Sequence, residues 1–297
     1  MQFIVLRTYL SIKIILNQTI TKILYFPITK IILGIGVCFS LLVGIQNLVS
    51  KPLLYTVFEN KNLADPIIHF ISVAVLLTGY YWLFKFYDKR KISELSIKHL
   101  AKEMFGGFTF GFLTISLSIF ILYLLGYFEV FSISTANYSL KLFGLLMVAA
   151  LIEDLFIRGL IIRETESWLG TNTAIIIGML FETWHMFNSN ANLFSLFVDL
   201  TWGFTMAMLF IYTKRIWLPY FFHLGWNFAQ PFYGSNLTGL DDMGNIMLSK
   251  FNGPKVFTGG DVGIENSIFT ESFLLLIGII FYYLSKKEGK IIKRKRT

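Results

Sequence analysis

Residues 151–163, LIEDLFIRGLIIR, have the apolar density of a membrane helix and yet hold Glu153, Asp154 and Arg158. Two further apolar runs carry groups suited to acid–base work. One is IIIGMLFETWHMFN, with His185 a turn beyond Phe181; the other is LPYFFHLGWNFAQP, with His223 and Asn227 four residues apart. A charged side chain at the centre of a bilayer costs about 3 kcal/mol on insertion scales, so such groups face the inside of a bundle and mark function by default. On an α-helix Asp154 and Arg158 share a face and can pair across one turn. Glu153 stands about 140° from Arg158 at roughly 100° per residue, which leaves it free to face something else. Glu182 lies off the Phe181–His185 face and reads as a partner for a neighbouring helix. Polar groups buried in lipid need partners, and the nearest ones here are each other. One carboxylate, two imidazoles and an amide around a common cavity provide a general base and several donors. That set can activate a water and stabilise an oxyanion. Gly225, between His223 and Asn227, leaves room for close approach by a helix or a substrate. The chain has four histidines; His69 and His99 fall near a membrane edge and in a basic loop, and read as structural.

The elements that position these residues are membrane helices. Of 297 residues, 55% are hydrophobic and 15% charged, where a soluble domain has roughly a quarter charged; mean hydropathy is +0.64. Apolar runs of the ~18–20 residues needed to cross a bilayer recur along the chain. The pattern predicts an all-α polytopic bundle of about eight transmembrane helices, near 31–49, 67–87, 106–127, 141–162, 173–187, 193–212, 217–232 and 268–285. Basic clusters occupy alternate loops: Arg7 to Lys30, Lys89 to Lys102, Arg163, Lys214 with Arg215, and KKEGKIIKRKR at the end. By the positive-inside rule, eight spans then put both termini in the cytoplasm. The net charge of +8 follows from these clusters and points to anionic lipid at the cytoplasmic loops; nucleic acid is not an expected partner. Residues 1–30 read as an interfacial amphipathic segment, 31–285 as the bundle, and 286–297 as a basic cytoplasmic tail. The Gly- and Asn-rich segment 233–267 is expected outside, folding back over the bundle. Its TGGD sequence departs from an aspartyl-protease Gly-x-Gly-Asp at Thr258 and carries no such reading. The single Cys38 excludes an intrachain disulfide.

The three polar runs also resemble a family. EDLFIR is similar to a Glu-Glu-x-x-x-Arg motif, FETWH to Phe-x-x-x-His, and HLGWN to His-x-x-x-Asn. These are the signatures, in the same order, of the CAAX prenyl protease and bacteriocin-processing (CPBP, or Abi) intramembrane endopeptidases. The matched core covers about residues 141–232. The second Glu of the family is Asp154 here, which keeps the carboxylate and shortens its reach. The resemblance implies that Glu153 and His185 activate the hydrolytic water and that His223 and Asn227 stabilise the oxyanion. Asp154, Arg158 and Phe181 are then supporting residues.

The expected site needs no cofactor. If zinc were present, Glu153, His185 and His223 would be its ligands, leaving a fourth position for water; a Glu used as ligand is then not available as base. Two other functions stay open at this point: a catalytically silent relative acting in bacteriocin immunity or as a scaffold, and a proton-coupled transporter built on the same intramembrane ionisable groups. The expected substrate is a membrane-associated peptide or protein. The Lys- and Ile-rich, Cys-poor composition points to a bacterial cell membrane, and no oligomeric state is indicated.

Overall fold

The computed structural model describes residues 18–134, 139–240 and 244–294. About three quarters of them are helical. Helix α1 (Pro27–Ile45) begins on Pro27, whose missing N–H costs nothing at a first turn. It runs through a π turn (Gln46–Ser50) into α2 (Lys51–Val57). Pro52 cannot donate back along the ladder, and the hydrogen bonding widens to i→i+5 just ahead of it. Helix α3 (Lys61–Tyr87) is capped by the Asn60 side chain, which accepts from the Asn62 N–H. Helix α4 (Leu100–Leu124) follows two 3-10 turns.

A long rod comes next: α5 (Ser139–Glu153), a π-helical stretch (Asp154–Ile162) and α6 (Arg163–Leu169). Gly170, at φ 86°, turns the chain into α7 (Thr171–Glu182), which tightens to a 3-10 turn over Thr183–Phe187. Helix α8 (Leu193–Thr213) opens with an Asn192/Ser195 capping box and stops at Lys214 in the left-handed region. Helix α9 (Trp217–Phe232), the short α10 (Lys255–Thr258) and α11 (Ile268–Lys287) complete the bundle.

One element departs from the all-helical expectation. Strand β1 (Phe128–Ile133) pairs antiparallel with β2 (Met247–Phe251), with Glu129 opposite Lys250 and a bulge between Val130 and Ser132. This ribbon ties the segment after α9 to the segment after α4.

Among the described residues, five helical stretches are long and apolar enough to cross a membrane: Pro27–Val57, Lys61–Tyr87, Ser93–Leu124, Leu193–Thr213 and Ile268–Lys287. Exposed side chains such as Ile32, Phe39, Leu113, Phe120, Leu276 and Ile279 give the bundle an apolar outer surface far larger than a soluble monomer carries. The protein is a multi-pass membrane protein. The other three expected passes do not reach that standard among the described residues. The 139–169 rod holds Glu153, Asp154, Arg158, Arg163, Glu164 and Glu166; α7 has 12 residues and α9 has 16. They are the passes that carry the polar motifs, and they bury those residues inside the bundle instead of meeting lipid.

Contacts sort the loops into two ends. At one end Lys30 lies 2.6 Å from Asp88, Lys214 2.5 Å from Glu166, and the Thr171 N–H donates to the Ile292 carbonyl at 2.9 Å. Chain near residue 30 and chain near residue 290 thus share one end. At the other end Asn188 Nδ2 donates to the Thr238 carbonyl (2.6 Å) and Asn190 Nδ2 to that of Gly239 (2.8 Å), so the segment after α9 does fold back over the bundle. Of the N-terminal segment, residues 1–17 lie outside the described residues, and 18–24 are helical with Ile20, Ile23 and Leu24 exposed.

Helix α9 is brought against α4 by missing side chains. A Cβ on Gly111 would overlap the Phe222 carbonyl, and one on Gly225 the Phe108 carbonyl. Gly225 therefore serves helix approach. Gly111→Ala or Gly225→Ala is expected to cost about 1–3 kcal/mol through forced overpacking. Gly106→Ala, where a Cβ meets nothing within 4 Å, serves as the control. Thermal unfolding of the purified variants separates them; equal melting of all three would remove the close-approach argument.

Candidate active site

The three motif helices meet at one point. Glu153 is the last residue of α5, Asp154 and Arg158 lie in the π-helical stretch, and both of the latter are fully buried. Arg158 sits between two carboxylates: Nε is 3.4 Å from Asp154 Oδ1, and Nη2 is 2.5 Å from Glu182 Oε1 on α7. The expected Asp154–Arg158 pair is thus only half of the arrangement, because the wider π turn aims the guanidinium across to α7. Glu182 is indeed the partner of a neighbouring helix.

The second Asp154 oxygen, Oδ2, lies 3.0 Å from His223 Nδ1. A carboxylate only accepts, so His223 carries its proton on Nδ1 and turns Nε2 toward Glu153 Oε2, 3.8 Å away. His185 follows the same logic from the other side. Its Nδ1 is 3.1 Å from the Glu182 carbonyl oxygen, also an acceptor only, and its Nε2 is 3.8 Å from Glu153 Oε1. The 3-10 turn at Thr183–Phe187 makes this possible, bending the chain after α7 so that the ring comes in beside Glu153. Two imidazoles in the same tautomer therefore flank one carboxylate. The gaps are too long for direct hydrogen bonds and short enough to be bridged by one water.

Glu153, His185, His223 and Asn227 all line one cavity of about 50 Å³. A water needs roughly 10–15 Å³ measured this way, so the space holds a few waters. Its walls are Val198, Trp202 and Trp226, and its outer side is closed by Thr238 and Glu265 from the segment after α9. Trp202 stands edge-on to the His223 ring with centroids 5.0 Å apart. Among the described residues, no group of three His, Cys, Asp or Glu side chains is disposed to hold a metal ion.

Phe181, expected as a supporting residue, is half exposed and does not line the cavity. The cavity also takes in residues outside the expected set, Asp199, Trp202 and Glu265 among them. Asp199 had a signal, being the only charged residue in the apolar run LFSLFVDLTWGFTMAMLFIYT. Glu265 had none, since it lies in a Gly-rich loop and only the tertiary fold brings it in. The loop is built tightly: Gly259 and Gly263 have positive φ, and the Ile264 N–H donates to Ser235 Oγ at 2.8 Å.

Comparison with known proteins agrees with the motifs. Residues 135–229 match the family model described as type II CAAX prenyl endopeptidase Rce1-like. No curated protein and no solved structure matches the chain. The matched stretch contains Glu153, His185, His223 and Asn227 and ends before Glu265. Over this stretch, about a third of the chain, the segment that builds the site is similar to the Rce1-like type II CAAX prenyl endopeptidases.

Proposed function

We propose that the protein is an intramembrane endopeptidase that hydrolyses a peptide bond of a membrane-associated peptide or protein. The carrying observation is the placement of Glu153 between the Nε2 atoms of His185 and His223, each 3.8 Å away. In this reading Glu153, helped by His185, takes a proton from a water in the cavity, and the resulting hydroxide attacks the scissile carbonyl. The carbonyl oxygen gains negative charge, which the Asn227 amide receives together with His223 in its doubly protonated imidazolium form, where Nε2 carries a hydrogen as well as Nδ1. The two histidines are not equivalent in this scheme. Asp154 can balance the charge of an imidazolium on His223, whereas the Glu182 carbonyl can only orient His185. As the tetrahedral adduct collapses, the C–N bond breaks and the proton held by Glu153 passes to the leaving amine.

Asp154→Asn tests this division of roles. The amide oxygen still accepts from Nδ1–H, but the balancing charge is gone. The expected loss in cleavage rate is about 10²-fold or more, by the logic of a buried carboxylate behind a catalytic histidine. Wild-type rate in a folded Asp154→Asn protein would remove His223 from the cationic role.

Glu153 acts here as base and not as ligand, so Glu153-dependent cleavage is expected to persist in phenanthroline or EDTA. Loss of activity restored by zinc would instead assign Glu153, His185 and His223 to a metal. A transport role finds less support. Toward the end that holds residues 30 and 290, the interior is filled by Leu155, Leu160, Ile162, Met208 and Ile211, all buried. The basic end is assigned to the cytoplasm of a bacterial cell, against anionic lipid. In a Cys38→Ser background, Asp261→Cys, at a side chain 69% exposed, is expected to react with impermeant maleimide in intact cells. Lys287→Cys is expected not to react; the reverse pattern would invert the topology.

A further inference from the structure

Two carboxylates in the cavity have no part in the hydrolytic scheme. Asp199, on α8, is 7% exposed, makes no ion pair among the described residues, and its Oδ2 has no hydrogen-bond partner. Glu265, 8% exposed, enters from the opposite side on the turn Ile264–Asn266. Its Oε2 accepts from Gln230 Nε2 at 2.7 Å and lies 3.4 Å from Trp226 Nε1, so donors on α9 hold it in place. With Glu153 the cavity has three carboxylates against two imidazoles. Of the imidazoles, His223 is already engaged by Asp154.

A buried carboxylate without a donor is costly, and the basic group that faces this pair, His185, is already shared with Glu153 3.8 Å away. Trp202 and Trp226 form the adjoining wall, and indole faces attract a cation electrostatically. Carboxylates beside aromatic faces make a receptor for an organic cation. The volume of about 50 Å³ suits a compact head group whose chain stays outside the cavity. A planar guanidinium is bulkier and demands a wider fork.

We propose that Asp199 and Glu265 form a subsite for a primary ammonium group of the substrate, next to the bond that is cut. For an endopeptidase the source is a lysine side chain; a free amino terminus held next to the cut bond would keep the subsite and make the activity an aminopeptidase's. This inference rests on the endopeptidase reading for its purpose, since the subsite selects which bond is presented to Glu153. It concerns binding, however, and can be tested without turnover.

The experiment uses full-length Glu153→Gln protein in detergent, immobilised and exposed to two randomised peptide libraries, one with acetylated and one with free amino termini. Bound peptides are eluted and sequenced. If lysine is the source, it is enriched about tenfold or more at one position of the acetylated library, the size expected for a charge-assisted hydrogen bond. If the amino terminus is the source, the free library is retained and the acetylated one is not. In either case adding Asp199→Asn and Glu265→Gln, singly and together, abolishes the preference. Thermal unfolding verifies that each variant is folded, and Glu265→Gln alone decides the matter if Asp199→Asn does not fold. Capture without preference for an ammonium, or a preference unchanged by both substitutions, overturns the proposal; so does retention of a divalent metal ion in place of peptides. Exposing the captured peptides to wild-type protein separates the two readings. Captured lysine peptides that stay uncut retain the subsite and fail the endopeptidase; peptides cut without ammonium preference do the opposite.

Discussion

Arg158→Ala is expected to leave little folded protein in the membrane. The guanidinium is fully buried between Asp154 and Glu182, and removing one partner of a buried ion pair costs about 3–5 kcal/mol. Here two carboxylates are stranded at once, on two different helices. Neutralising only one of them does not repair the damage. Asp154→Asn/Arg158→Gln still leaves Glu182 without its cation, so recovery is expected to be partial. Adding Glu182→Gln replaces the whole buried triad by neutral groups and restores most of the folded fraction. Fluorescence-detected size exclusion and thermal unfolding of the single, double and triple variants give the order directly. A double variant as stable as the triple would mean that the Arg158–Glu182 contact contributes nothing.

Glu153→Gln separates chemistry from folding. Glu153 makes no contact with Arg158 closer than the ion pairs above, and its two neighbours at 3.8 Å are imidazoles. The substitution keeps shape and hydrogen-bonding capacity while removing the base. Loss of a general base costs typically 10²–10⁴-fold in rate, so cleavage is expected to fall by about that factor. The melting temperature is expected to hold, since Glu153 Oε2 is buried without a hydrogen bond that the substitution could break. A Glu153→Gln protein that is unfolded would give this residue a structural role and withdraw it from catalysis.

How far the site could be read from sequence follows from what kind of signal each residue gives. Glu153, His185, His223 and Asn227 are visible because ionisable or polar side chains stand out within apolar runs, and the i,i+4 spacing of His223 and Asn227 puts those two on one face. The same rule reaches Asp199, which is alone in its run. Arg158 was visible as an intrahelical partner of Asp154. Its contact with Glu182 was not, because a π-helical stretch changes which direction a side chain takes, and no local pattern announces one. Phe181 shares a face with His185 on an ideal helix, but the chain tightens to a 3-10 turn between them and the ring points outward. Glu265 depends on a loop folding back over the bundle, and loop sequences carry turn preferences without long-range partners. The β1–β2 ribbon was missed for the same reason. The site-bearing passes are harder to recognise as spans because α7 and α9 are short, with 12 and 16 residues, and the 139–169 rod carries the charged residues of the site.

The most direct test of the central claim is a comparison of the cell's own membrane peptides with and without the Glu153 carboxylate. Membranes from cells expressing wild-type protein, Glu153→Gln protein at equal folded abundance, or neither, are labelled at free amino termini and analysed by mass spectrometry. The account predicts new amino termini within or beside membrane segments in the wild-type sample alone, with the uncut precursors accumulating in the Glu153→Gln sample. The same termini at equal abundance in wild-type and Glu153→Gln membranes would contradict a glutamate-based endopeptidase.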